Sequence, residues 1–289
     1  MKKGLVTVLM TGAMLLTACA NDTAEKEKAS SEGTEVAVSG EQTPDLSNEL
    51  NAYQTFAVEQ MDHFLTETEK FVDLFKTGKL EEAKALYPLA RMYFERSEPI
   101  AESFGDLDPR IDGRLTDIQE EGLGEEEWSG YHKLEYALWV EGTNEGYTDV
   151  ADQLLTDVKE LYALVQTVEV TPDLMVIGAV DLLNEVSTSK ITGEEEIYSH
   201  TDLYDFKANV EGAEKIFEIL RGKIEEKDPA LVTTLEQKFK AVNDLLAQHQ
   251  VGEQDFKSYE ELTKDDIQAL ANAVNQLGEP LSQMGIILE

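Results

Sequence analysis

The sequence predicts an all-α fold built from one or two antiparallel helical bundles. Three observations predict it. From Glu49 onward apolar residues recur at spacings of three and four, the repeat of one helix face. Six prolines (Pro88, Pro99, Pro109, Pro172, Pro229 and Pro280) punctuate that stretch together with scattered glycines. No clear alternation of apolar and polar residues marks a strand.

Taken in order, Phe56, Met61, Phe64, Leu65, Phe71, Val72 and Phe75 form the stripe of a first helix closed by Gly78. A second helix is expected over about Leu80–Ser103, bent near Pro88 and Pro99. Pro109 opens a third, to about Glu121, and Glu126–Val140 is a fourth, followed by Gly142 and Gly146. Thr148–Gln166 is amphipathic, with Val150, Leu154, Leu155, Val158, Leu161, Tyr162 and Val165 in register. Thr171-Pro172 reads as an N-cap followed by proline in the first turn, leading Asp173–Thr188. Thr201–Glu226 is long, with Thr201 as its expected N-cap, and Pro229 opens another helix to about Gln250. Lys264–Leu277 and Pro280–Ile287 complete the expected set, divided at Pro280.

The balance of charge narrows the partners. Among 289 residues, 24 Lys and Arg face 59 Asp and Glu, a formal net charge of -35. Nucleic acid is excluded, because phosphate binding needs clustered Lys and Arg. Cations are favoured, since a field of one sign concentrates counter-ions. A hydrophobic content of 42% is enough for a sizeable core.

Residues 1–18 read as a leader. Lys2 and Lys3 precede an apolar run from Gly4 to Leu16 that is too short for a comfortable membrane span. The run ends in Leu16-Thr17-Ala18-Cys19, which resembles the lipobox of bacterial lipoproteins. Cys19 is the single cysteine, so an internal disulfide or a multi-cysteine metal site is impossible. The resemblance implies cleavage before Cys19 and lipid attachment there, on the extracytoplasmic face of the cell membrane. Residues 19–48, poor in large apolar side chains, are expected to form a flexible tether, with the helical domain over 49–289.

The four histidines differ in setting. His249 ends a helix as an ordinary solvated residue, and His63 sits on the first helix between Asp62 and Phe64. His132 lies in Ser129-Gly130-Tyr131-His132-Lys133-Leu134-Glu135-Tyr136-Ala137-Leu138-Trp139. Residues three apart share a helix face, so His132 and Glu135 can meet one cation, or can simply form a salt-linked face. An imidazole nitrogen with a carboxylate suits Fe, Zn, Mn or Cu. Glu95, Glu98 and Glu102 crowd one another on an earlier helix, and carboxylates in a core need a cation or a proton. Asp202 and Asp205 fall in the first turn after Thr201, where helix-dipole stabilisation accounts for acids. Trp139 lies on roughly the face of His132, as core packing or as a wall around a metal.

Gly130-Tyr131-His132-Lys133-Leu134-Glu135 resembles the Gly-x-His-x-x-Glu signature of imelysin-like proteins. With Tyr93–Asp112 and Gly193–Gly212, the chain from about Glu49 on is similar to the EfeO/EfeM branch, the lipoprotein or periplasmic component of iron uptake systems. The resemblance implies a helical bundle in two four-helix halves. It makes His132 and Glu135 metal ligands, joined by Glu95, Glu98 and Asp112. A further acidic ligand is expected from Glu194, Glu195 and Glu196, with Glu195 carried forward and the other two left open. The implied cargo is iron, Fe2+ or Fe3+, with Zn or Cu also suited to the donor set. The implied partners are a membrane permease and a dye-decolorising haem peroxidase. Longer family members carry a cupredoxin domain, for which the tether leaves no room, so a copper-dependent ferroxidase step is not expected here.

The leading reading is therefore a lipid-anchored protein that captures iron and passes it to a permease. Two others stand beside it. A metallopeptidase is suggested by the peptidase label of imelysin-like proteins, although no His-Glu-x-x-His occurs. Binding of polysaccharide is the third, with divalent ions bridging an acidic polymer to this acidic surface.

Overall fold

The computed structural model describes residues 45–188, 190–252 and 255–288. The leader, Cys19 and the expected tether up to residue 44 lie outside the described residues. Helix α1 is Ser47–Lys76, beginning just ahead of the expected Glu49, and it buries Tyr53, Ala57, Met61, Phe64, Phe71, Val72 and Phe75 along one face. The class is all-α: α2 Leu80–Glu95, α3 Glu98–Ala101, α4 Leu107–Asp112, α5 Leu115–Glu120, α6 Gly130–Tyr136, α7 Thr148–Val165, α8 Pro172–Thr188, α9 Asp202–Lys227, α10 Pro229–Ala247 and α11 Lys264–Leu288. Among the described residues, strand is confined to a hairpin, β1 Gln250–Val251 with β2 Asp255–Phe256, which ends α10 earlier than expected.

The caps explain several boundaries. Asp228 accepts from the Ala230 and Leu231 N–H groups, each at 3.0 Å, and Pro229 fills the first turn of α10. Thr171 Oγ1 accepts from the Leu174 N–H at 3.2 Å, as its sequence position predicts. Thr201 does not cap α9; its hydroxyl pairs with Ser199 Oγ at 2.8 Å.

Three expected helices differ from the observed ones. The second stops at Glu95, because Ser97 leaves helical geometry (φ -127°, ψ 15°), and Pro99 then falls in the first turn of a new helix, where its missing N–H is not needed. Pro88 is accommodated inside α2. The third divides into α4 and α5 where Gly113 and Arg114 are extended. Conversely, the last helix runs unbroken through Pro280. A proline inside a helix costs ~3 kcal/mol. Leu277, Leu281, Met284 and Leu288, buried on one face, contribute ~1.5–3 kcal/mol each and outweigh it.

Packing places these breaks at the centre. The described residues form one compact unit. Within it α1 packs against α2 and α7, α8 against α9 and α11, and α10 against α9 and α11, while α2 against α9 joins the two sets. Helix α6 starts at Gly130, whose φ of +81° is open to glycine, and a Cβ there would sit 2.3 Å from the Ile111 carbonyl oxygen. Gly130→Ala is expected to destabilise the chain by about 1–3 kcal/mol, measured by urea unfolding. An unchanged midpoint would show that α4 and α6 part without cost.

Candidate metal centre

The interrupted helices deliver their polar side chains to one buried place. Helix α2 supplies Arg91 and Glu95, α3 supplies Glu98, α4 supplies Asp112, and α6 supplies His132 and Glu135. Lys190 comes from the 3-10 turn Lys190–Thr192, Glu195 and Glu196 from the loop after it, and Asp202, Asp205 and Asn209 from α9. Most of these side chains are fully buried, and His132 is 2% exposed. Glu95, Glu98, Glu135, Glu195, Glu196, Asp202 and Asp205 thus meet Arg91 and Lys190 in a space where uncompensated charge is costly.

Arg91 is the hub. Its guanidinium donates to Asp112 through a close contact and to Glu95 Oε1 at 2.6 Å. Its Nε lies 2.7 Å from Glu196 Oε1 and 3.5 Å from Asp205 Oδ1, in neither case aligned for a hydrogen bond. Lys190 Nζ stands 2.7 Å from Glu95 Oε2, 3.0 Å from Glu185 Oε2 and 3.6 Å from Glu98 Oε2. Asn209 Nδ2 donates to Glu95 Oε2 at 3.1 Å and Glu98 Oε2 at 3.2 Å. His132 Nδ1 is 3.3 Å from Glu135 Oε2, and the other oxygen of Glu135 accepts from the N–H groups of Tyr198 (3.0 Å) and Ser199 (2.7 Å).

Among the described residues, three groups bring ligand atoms within 4.8 Å of one another: Asp112, His132 and Glu195; His132, Glu135 and Glu196; and Glu95, Glu98 and Glu185. The side chains expected from the sequence are therefore neighbours, but they divide among three groups. Glu95 and Glu98 gather around Lys190 rather than around His132. A cleft of about 370 Å³, lined by Glu98, Glu102, Asp108, Asp112, Arg114, Asp117, Glu185 and Glu195, leads to two of the groups.

Electrostatics favour a cation. Burial pushes the carboxyls of Glu98, Glu196 and Asp205 well above their usual range, reinforced by Glu185 beside Glu98 and by Glu135 beside Glu196. Burial also raises Glu135, against the N–H groups that hold it. Burial opposes ionisation of Glu95 as well, yet Lys190 and Arg91 hold it below the usual carboxylate range. Burial and then the Arg91 charge bring His132 down to about 3, so the ring is neutral and able to ligate.

These shifts set a pH dependence. Folded Glu98 and Glu196 keep protons above 4.5, where the unfolded chain loses them, so their protonation stabilises the fold and is lost as pH rises. His132 acts oppositely, but below 6.5, where the unfolded ring gains a proton that the folded ring refuses. Above that point the carboxyls act alone. The metal-free chain is expected to lose stability as pH rises from roughly 6.5 to 8, seen as a falling thermal midpoint by circular dichroism. A midpoint that rises over this interval would contradict the carboxyl shifts.

Several participants escape sequence reasoning. Arg91 and Lys190 carry no motif, and Asp205 looks like a helix-start acid although it is buried beside Arg91. Glu196 is legible only as one of three acids, and the structure places both it and Glu195 beside His132. Tyr131 shares a hydrogen bond with Thr68 in the core. Trp139 packs edge-on against Tyr87. His249 is buried rather than solvated, and His63 stacks on Tyr93.

Fold and centre together define an all-α protein with buried acid and histidine groups able to hold a metal ion. The chain belongs to the imelysin family, whose model matches residues 49–284, and within it to the Efem/EfeO family. It is similar to the Efem/EfeO family lipoprotein of Staphylococcus haemolyticus, 49% identical over 288 residues, 99% of this chain and 100% of that one. It is also similar to the Efem/EfeO family lipoprotein of Staphylococcus aureus (strain NCTC 8325 / PS 47), 53% identical over 246 residues, 85% of this chain and 86% of the relative. Among the described residues no helix is long and apolar enough to cross a membrane.

Proposed function

We propose that this chain is a lipid-anchored iron-capturing protein that takes iron at the outer face of the cell membrane and passes it to a permease. The observation that carries the reading is the imbalance of charge at His132: a neutral imidazole lies among buried carboxyls that outnumber Arg91 and Lys190. A bound cation relieves that imbalance, and nitrogen with carboxylate oxygen suits iron in either oxidation state. The naming of the relatives as Efem/EfeO family lipoproteins supports attachment through Cys19. The haem peroxidase implied by the family would work at the same face. The strongly acidic surface raises the local concentration of cations, and the acid-lined cleft gives them a route inward.

A peptide bond would have to reach side chains such as His132 and Glu135 that are almost wholly buried, which speaks against the metallopeptidase reading. The direct test is calorimetric titration of the full chain carrying Cys19→Ser with Fe(II) and with Fe(III)-citrate, beside His132→Ala. Saturable binding that collapses in the variant is expected. Wild-type chain with full helical circular dichroism and no binding of either form would sink the reading.

A further inference from the structure

The stretch 120–147 carries a charge imbalance of its own on the outside of the molecule. It holds eight glutamates and one Lys or Arg, Lys133. Glu135 is buried, and the other seven glutamates are exposed, five of them within residues 120–127. Among the described residues none of the seven meets a Lys or Arg. Exposed acids elsewhere do, as Glu81 with Lys84, Glu225 with Arg221 and Asp244 with Lys240. Lys133 turns instead to the main chain, where its Nζ donates to the Trp128 carbonyl at 2.7 Å and to the Glu125 carbonyl at 3.3 Å.

Apolar and aromatic side chains stand among these carboxylates. Leu123, Val140 and Ile197 are 44, 54 and 42% exposed, and Tyr136, Tyr147 and Tyr198 are half-buried. Tyr136 meets Tyr198 edge-on at 5.2 Å and Trp128 at 6.1 Å. Burial raises the Tyr147 phenol to about 12, with the hydrogen bond and charge of Glu141 next and Tyr136 and Glu125 adding to it. The Tyr198 phenol is raised as well, by burial first and then by Glu135, Tyr136 and Glu125. Tyr136 and Glu125 therefore lie near both phenols, and the loop, α6 and the 190–201 segment present one face.

We propose that this face docks a basic protein segment, one that presents an apolar ridge flanked by Lys or Arg. The tyrosines and the exposed aliphatic side chains supply the contact, since aromatic residues carry much of the binding energy of protein interfaces. The unpaired glutamates form a rim that attracts and orients a cationic partner. The same charge repels an anionic lipid surface, and it repels a second copy of this chain, which is equally acidic. None of the face's side chains lines the acidic cleft, so the assignment does not depend on the centre being loaded.

The experiment uses the metal-free full chain (Cys19→Ser) and a fluorescein-labelled synthetic amphipathic helix, leucine on one face and lysine on the other, followed by anisotropy. Binding is expected, and a peptide of equal charge with serine in place of leucine should bind about tenfold more weakly. Glu125→Gln, Glu126→Gln and Glu127→Gln combined should weaken the leucine–lysine peptide about tenfold in low salt. Glu226→Gln, Asp265→Asn and Glu279→Gln combined remove the same charge from α9 and α11, and should cost less than about twofold. Equal losses in the two triple variants would mean that the peptide reads net charge alone, which overturns the proposal. Leu123→Ser with Val140→Ser should also weaken binding at intact helical circular dichroism, and unchanged affinity would remove the apolar contact and the proposal with it. In Trp139→Phe, Trp128 is the remaining tryptophan, and its emission should shift on binding. A bound peptide that leaves Trp128 silent sits elsewhere and overturns the assignment, as does the absence of any binding. A dimer in sedimentation, or attachment to phosphatidylglycerol vesicles, that the Leu123→Ser, Val140→Ser variant loses would give the face to a second copy or to lipid instead.

Discussion

Arg91→Met is expected to cost about 3–5 kcal/mol of stability, read as a lower urea midpoint at pH 8 with an unchanged slope. The methionine fills much of the stem's space, so little of the loss comes from a cavity. The loss comes from the carboxylates that Arg91 serves by hydrogen bonds, Asp112 and Glu95. Glu95 is fully buried, where water cannot replace the guanidinium, and removing one partner of a buried pair leaves the other uncompensated. Proton uptake offsets part of this, so the deficit should shrink toward pH 5. A deficit below about 1 kcal/mol at pH 8 would mean that these carboxyls are already neutral in the wild-type chain and that Arg91 is not their counter-charge.

Lys190→Met should produce a comparable loss with a different remedy. It removes the ammonium from among Glu95, Glu98 and Glu185, whose ligand atoms are close enough to share one ion. The variant is therefore expected to become cation-dependent: millimolar Mn2+ or Mg2+ should raise its thermal midpoint more than that of the wild type. A site filled to about 100 times its dissociation constant contributes about 2.7 kcal/mol, enough to recover most of the deficit. Equal midpoint shifts in variant and wild type would show that the three carboxyls do not need Lys190 as their cation. Arg91 and Lys190 act on different carboxyls except for Glu95, which both contact, so the double variant should lose less than the sum of the two.

Much of the centre is legible in the amino-acid sequence. His132 and Glu135 stand out because three residues of helix bring them to one face, and α6 does so. Asp112 and Glu195 stand out through the resemblance of their segments, and both lie beside His132. Glu95 and Glu98 read as partners of the same ion, whereas the structure turns them toward Lys190. Nothing local distinguishes these outcomes: Lys190 sits in Ser187-Thr188-Ser189-Lys190, an unremarkable polar stretch 95 positions from Glu95. The prolines depart from expectation for a related reason. Pro99 marks a helix start and Pro280 lies inside a helix, because tertiary burial, not the residue itself, decides whether the lost hydrogen bond is tolerated.

By itself the sequence determined the helical class, the acidity, the lipobox-like Cys19 and the His132–Glu135 pair, since each depends on composition or on spacing along one element. The tertiary structure alone decided which carboxyl meets which cation. Arg91, Asp112 and Asp205 are far apart in the chain, as are Glu95 and Lys190, and their pairing depends on where α2, α4, the 190–201 segment and α9 converge. Charge interactions in a low-dielectric interior fall with distance and rise with burial, and neither quantity is written in a one-dimensional pattern.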